Sequence, residues 1–356
     1  MKILLISNMY PSKETPFFGT FVKNFRERLE DENITFKLVV IKGKGTSKLD
    51  KIKKYFNFFK NTISKVKVDN YDMIYVHYIS HSLLPLLLVQ RYIKKPLVLN
   101  AHGSDIFVNN RIGGFIQKLV TPIIKKADMI VVPSDYFQDV IYTKFNISKE
   151  RIFVSPSGGI DTNLFKPQEI KKEIFTIGYV SRIDKGKGWD TLLDAVNSLM
   201  SEGVTFRVLI IGGGAEEKSL LQKIEDLELK NIVEFVGPKP HNELVSYFNQ
   251  MSIFAFTTRL AESLGLVGLE AMACSVPVVG SNIGALPSYI KDNINGKLFE
   301  VGNAEALANN IEHFINMNEK ELQMYKNNAL KTAILYDSKI VAKILSSKLK
   351  GFIDEK

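Results

Sequence analysis

The chain has 356 residues, 45% hydrophobic and 24% charged, a globular composition long enough for two domains rather than one. No run approaches 18 apolar residues, the strongest (83–89) is broken by Pro85, and no signal peptide is visible, so the sequence predicts a chain that does not span a membrane. Residues 1–170 carry 26 Lys and Arg against 15 Asp and Glu, net +11, and the remainder is −2, which turns one half toward an anionic surface or polymer.

Short β-rich runs alternate with amphipathic stretches throughout. In the first half, strands are expected at 2–6, 36–41, 73–76, 97–100, 129–132 and 152–154. Pro16-Phe17-Phe18-Gly19 follows the first strand and starts a helix, where Gly19 can bring backbone N–H groups to a ligand or simply make the turn. The segment 42–67 holds nine lysines interleaved with Ile52, Tyr55, Phe56, Phe59 and Ile63, which share one helical face. That face either packs on the core or rests on an anionic membrane as a basic amphipathic helix. Nucleic acid explains it poorly, because no recognition module accompanies the charge.

A polar linker at 168–173 follows Lys166-Pro167, and the alternation restarts. Strands are expected at 175–180, 206–211, 233–236, 253–256, 276–279 and 297–299, with helices at 189–200 and 216–227 and a closing helix at 338–352. This order predicts an α/β protein with two Rossmann-like halves, a cleft between them, and ligands bound outside the carboxyl ends of the strands. The single cysteine, Cys274, excludes an internal disulfide and fits a reducing cytoplasm.

Chemistry-bearing residues gather just after the expected strands. Glu262 and Glu270 bracket Ser263, Leu264, Gly265 and Leu266, on a loop that runs into a helix. Gly265 allows close backbone approach, the helix start offers free N–H groups to a phosphate, and flanking carboxylates can accept sugar hydroxyls. A buried helix with two incidental acids is the alternative. Arg182 and Lys187 leave another strand end on a turn with two glycines, placed to neutralise a diphosphate; a Lys- and Gly-rich surface turn has the same pattern. His102, with Gly103 and Asp105, follows the fourth strand, and His77 and His81 lie near the end of the third as structural or acceptor-side residues. Gly212-Gly213-Gly214 lacks the later glycine of a dinucleotide fingerprint and reads as a flexible turn. There is no Asp-x-Asp anywhere, which argues against a metal-dependent sugar-nucleotide site of that kind.

Taken in order, these motifs resemble the retaining glycosyltransferases of family 4, which have the GT-B fold. The likeness runs from the Gly19 loop and His102-Gly103 through Gly158-Gly159-Ile160-Asp161, Arg182 with Lys187, Val236-Gly237 and the Glu262/Glu270 segment to Asn295-Gly296. Departures are Gly158 for a frequent Asn, Leu264 for Phe, Ser275 for Gly and Ser288 for Glu; the change at Leu264 leaves sugar preference open. The resemblance implies an acceptor-binding domain at 1–168, a nucleotide-sugar domain at 169–337, and a helix at 338–356 that returns to the first domain. It implies that Arg182 and Lys187 hold the diphosphate, Glu270 the ribose and Glu262 the hexose, with His102 approaching the sugar. Gly19, Gly237, Ser263, Leu264, Gly265 and Leu266 would line the donor site, and Asp105 and His77 the acceptor side.

The expectation is therefore a retaining, metal-independent hexosyltransferase needing no cofactor, since the nucleotide sugar is a substrate. It would use a UDP-sugar and a glycan or lipid-linked acceptor in surface polysaccharide or glycoconjugate assembly. Its place would be the cytoplasm, with the basic half resting peripherally on the inner face of the membrane. A nucleotide-sugar epimerase or hydrolase, and a non-catalytic donor-binding subunit, are the competing expectations.

Overall fold

The computed structural model describes residues 1–68, 70–108, 110–170, 173–201 and 204–354. The chain divides into two compact units, Met1–Gly159 with Ser338–Lys356, and Ile160–Asp337.

The first unit runs β1 (Lys2–Tyr10), α1 (Thr20–Glu30), β2 (Thr35–Lys42), α2 (Lys48–Val68), β3 (Met73–His77), β4 (Leu97–Asn100), α3 (Arg111–Lys126), β5 (Met129–Val132), α4 (Asp135–Phe145) and β6 (Ile152–Val154). A 3-10 segment, His81–Leu88, takes the place of a helix between β3 and β4; Pro85 lies inside it and cannot supply the donor an α-helix needs there. All six strands are parallel, in the order β2-β1-β3-β4-β5-β6. Strand periodicity sorts the side chains to two faces. Leu4, Ile6, Val76 and Leu99 meet α2, α3 and α4, while Ile3, Leu5, Tyr75 and Val98 meet α1 on the other side.

The second unit runs β7 (Thr176–Val180), α5 (Trp189–Ser201), β8 (Arg207–Ile211), α6 (Glu217–Asp226), β9 (Val233–Gly237), α7 (Leu244–Phe248), β10 (Ile253–Phe256), α8 (Leu266–Ala273), β11 (Val278–Ser281), α9 (Leu286–Tyr289), β12 (Gly296–Phe299), α10 (Ala304–Ile315) and α11 (Glu319–Ile334). Its parallel sheet has the order β12-β11-β10-β7-β8-β9. The chain then returns to the first unit as α12 (Ser338–Asp354), which places Ala342, Leu345 and Leu349 in the core beside Val22 and Leu29 of α1.

Each expected strand is present, with three corrections. β1 runs on to Tyr10, so Asn8 and Met9 lie within the strand, at an irregularity in its pairing with β2, and Asn8 N donates to the Ser82 hydroxyl there. The run expected at 276–279 starts only at Val278, because Val276 N closes α8 by donating to Ala271 O, with Ser275 in the left-handed region. The domain boundary falls after Gly159 rather than after 168. Ile160 N donates to Tyr336 O, and Phe165 is buried in the second core, so the segment 160–168 belongs to the second unit.

Candidate active site

Both sheets reverse direction in strand order, and that reversal leaves a crevice at the carboxyl ends of the two strands concerned. In the second unit those strands are β7 and β10. Lys187 stands on the loop after β7 and Glu262 on the loop after β10, and Lys187 Nζ donates to Glu262 Oε1 at 2.7 Å. The same carboxylate oxygen accepts from Thr258 Oγ1 at 3.1 Å.

Neither loop is free to drift. Tyr179 OH donates to Lys187 O and Thr257 Oγ1 to Gly188 O, at 3.1 and 2.8 Å. Gly188 has φ +76°, and a Cβ there would overlap the Thr257 carbonyl oxygen, so only glycine lets the two loops touch. Arg259 NH2 reaches Asp190 Oδ2 and Thr191 Oγ1, each at 2.7 Å, and ties the β10 loop to the start of α5. Arg182 is exposed, and its NH1 lies 2.6 Å from Asp184 Oδ2. Asp184 also accepts from Ala215 N, and Ile183 N donates to Gly213 O. The triple glycine is thus a pinned turn against the Arg182 loop, a correction to the flexible turn read from its composition.

Gly265 caps α8 at φ +81°, and a Cβ there would crowd Leu286 and the Phe256 ring. Leu266 follows as the first residue of α8, whose initial N–H groups have no partner within the helix. Tyr289 OH donates to Gly265 O at 3.0 Å and fixes this cap from the other side. Ser263 lies half-buried between Glu262 and this cap, and Gly237 closes β9 with open space where a side chain would stand. Leu264 departs from expectation: its side chain is buried in the core beside Phe256, which leaves its backbone for a ligand.

Glu270 is buried on α8, and its Oε1 lies 2.8 Å from His241 Nε2. His241 opens a 3-10 turn after β9, with its ring 5.0 Å from that of Phe165. The hydrogen bond to the Glu270 carboxylate raises the imidazole above its ordinary 6.5, helped by the charges of Glu270 and Asp161 and opposed by burial. No motif in the sequence marks His241, Thr258 or Arg259. For His241, its place just beyond a strand end was the signal to be read.

In the first unit the site residues gather at the carboxyl ends of β3 and β4. Gly19 caps α1 after β1. His102 follows β4, partly buried, with its ring 4.4 Å from that of Phe21 and its Nε2 2.9 Å from His77 Nδ1. Burial holds the His102 imidazole down at about 3 and drives that of His77 well below its usual value.

Two acceptor-side expectations are corrected here. Asp105 is buried, and its carboxylate accepts from Ile79 N, His102 N and Gly103 N at 2.8 to 2.9 Å. It clamps the His102 loop and has no side-chain surface for an acceptor; burial raises its carboxyl against those three backbone donors. His77 is likewise buried, enclosed by Phe25, Tyr75 and His102. A cavity of about 630 Å³ in this unit lies at the opposite, amino ends of the strands, lined by Lys95, Pro96 and Ile123 among others, and contains none of the candidate residues. Among the described residues, no group of three His, Cys, Asp or Glu side chains is placed to hold a metal ion.

Two family models account for most of the chain. One described as "Glycosyl transferases group 1" matches residues 161–331, and one described as "Glycosyltransferase Family 4" matches 20–164. The chain belongs to glycosyltransferase family 4. It is a glycosyltransferase with the GT-B type of domain pair. An uncharacterized glycosyltransferase of Methanocaldococcus jannaschii is 26% identical over 91% of this chain and 93% of its own length. N-acetyl-alpha-D-glucosaminyl L-malate synthase of Bacillus anthracis is 29% identical over 67% of this chain, which spans 64% of that enzyme. Among solved structures, Anabaena HepE in complex with UDP superimposes with a TM-score of 0.78 at 20% identity, covering 99% of this chain and all of HepE.

Proposed function

We propose that this glycosyltransferase moves a hexose from a UDP-sugar to a glycan or lipid-linked acceptor, with retention of anomeric configuration and without a metal ion. The observation that carries the reading is the Lys187–Glu262 pair at the β7/β10 reversal, with the start of α8 following on the same loop. Lys187 and Arg182 neutralise the diphosphate as the glycosidic bond breaks, and the α8 N–H groups donate to its oxygens. Glu262 takes hexose hydroxyls, Glu270 takes the ribose, and His102 is the residue of the first unit assigned to the sugar. In a front-face step the C1–O(phosphate) bond breaks and the acceptor oxygen bonds C1 from the same side. The acceptor proton passes to the departing phosphate oxygen, so the protein supplies positioning and charge rather than a base. The UDP complex of HepE favours uridine for the donor.

Surface chemistry supports a lipid-linked acceptor and work on the inner face of a cytoplasmic membrane in surface polysaccharide or glycoconjugate assembly. Along α2, Phe58, Thr62 and Val66 are buried, while Leu49, Ile52 and Phe56 stay exposed, Phe56 by 69%, among Lys48, Lys51, Lys53 and Lys60. Ile112 and Phe115 on α3, also exposed, add a second apolar pair beside Arg111 and Lys118. Basic side chains around protruding apolar ones match an anionic bilayer. No described helix is long and apolar enough to cross one.

The test is transfer with a panel of UDP-, GDP- and ADP-sugars, reading the anomeric configuration of the product by NMR. Inversion sinks the mechanism. Donor consumption at full rate without acceptor marks a hydrolase or epimerase instead.

A further inference from the structure

His77 has a nitrogen with nothing to bond. Its ring is buried at the end of β3, with the Phe25, Tyr75 and Phe21 centroids 4.4, 5.1 and 6.0 Å away; the Tyr75 hydroxyl, the one polar atom on these three rings, is taken by Asn100 Nδ2 at 2.8 Å. Its Nε2 is buried without a hydrogen-bond partner, and its Nδ1 lies 2.9 Å from His102 Nε2. One proton occupies that contact, and either ring can own it.

The two assignments differ in what they leave at His77 Nε2. If His102 donates, the neutral His77 ring carries its own proton on Nε2, a buried N–H without an acceptor. If His77 donates from Nδ1, Nε2 is left as a bare lone pair. Orphaned buried N–H donors are the rarer defect in folded proteins. A second proton on the pair would remove the choice, but burial lowers the pKa of both rings.

We propose that His77 donates through Nδ1 to His102 Nε2 and thereby fixes His102 as the Nδ1–H tautomer, a hydrogen-bond donor toward ligand with no lone pair left to take a proton. Nδ1 of His102 has no protein partner among the described residues, so its hydrogen is free for a substrate oxygen. His77 is then a positioning residue, and Asp105 assists by fixing the His102 backbone. The catalytic consequence rests on the reading of His102 as a sugar-facing residue; the tautomer does not.

The test uses the full chain with ¹⁵N-labelled histidine at neutral pH, and two-bond ¹H–¹⁵N correlation spectra. The chain has five histidines, and His102→Gln identifies the signal. We expect His102 with a protonated Nδ1 and a bare Nε2; the reverse pattern overturns the proposal. In His77→Phe, which suits the aromatic surroundings, His102 should lose this preference and kcat/KM for the donor should fall on the order of tenfold, the scale at which partners that orient a functional histidine act. His77→Gln, whose amide can still donate, should restore both. The wild-type kcat/KM profile should show no limb from His102 between about pH 5 and 8. Unchanged kcat/KM in His77→Phe overturns the positioning role. If that variant does not fold, the wild-type spectrum still decides the tautomer. If the wild type turns over no sugar nucleotide, the sugar-facing reading falls, and the spectrum judges the tautomer alone.

Discussion

Lys187 and Glu262 are 75 residues apart in sequence and 2.7 Å apart in space, an ammonium and a carboxylate held together where the two loops cross. Both side chains are mostly shielded, so a diphosphate entering here competes with Glu262 for the lysine. Lys187→Ala should lower kcat by about 10²-fold or more, the cost of removing one preorganised charge from a developing anion. Steady-state kinetics beside a thermal melt checks this. A melting point that collapses along with turnover would mean that the lysine serves the fold.

The His241–Glu270 pair sets a pH dependence whose sign follows from the raised imidazole pKa. The protonated ring pairs with the carboxylate, so this stabilisation is complete below the unfolded value near 6.5 and is lost as pH rises through the raised folded value. Glu270→Gln should move the His241 titration midpoint down, as read by NMR. In Glu270→Ala the donor KM should rise with little change in kcat, because ribose contacts hold ground and transition states alike.

His77 and His102 act with the opposite sign. Both must stay neutral in the fold, so stability should fall as pH drops below about 6.5, by up to roughly 1.4 kcal/mol per pH unit for each. The raised Asp105 carboxyl works against this only once it takes up its own proton. Urea melts at pH 7 and pH 5 should separate, and the separation should shrink in His77→Phe. Equal midpoints for the wild type would contradict the buried neutral pair.

Binding to anionic vesicles should be strong at low salt and fall steeply as salt rises, since each basic residue near such a surface is worth about 1 kcal/mol within a Debye length. Phe56→Ser and Phe115→Ser should each weaken the salt-resistant remainder while leaving the melting point in place, because both rings are exposed. Sedimentation with anionic and neutral vesicles measures it. Indifference to anionic vesicles at low salt would point to a soluble acceptor.

Much of the fold was legible because the strands are short apolar runs between helical periods, and alternation such as Leu4 and Ile6 against Ile3 and Leu5 needs both sheet faces covered. The acids and cations of the second unit were legible as types at strand ends. Their pairing was not, since a 75-residue separation is closed only by the strand order. Asp105 misled because a sequence displays a carboxylate without the three backbone N–H groups that consume it. Along α2 the helical period puts the apolar set 52, 55, 56, 59 and 63 on one face. The core takes Phe58, Thr62 and Val66 together with Tyr55, Phe59 and Ile63, and turns Ile52 and Phe56 outward.

The return of α12 gives the molecule an order of assembly. Ile160–Asp337 is one uninterrupted segment and has all of its core once Asp337 has been synthesised. The first unit, although synthesised earlier, must wait for Leu345 and Leu349 to cover α1 and the Ile3 face of its sheet. During translation that apolar face stays uncovered while the later unit folds, the reverse of the usual amino-to-carboxyl sequence. Until α12 leaves the ribosome, this exposed wall is where a nascent chain would stick to a chaperone or to its neighbour.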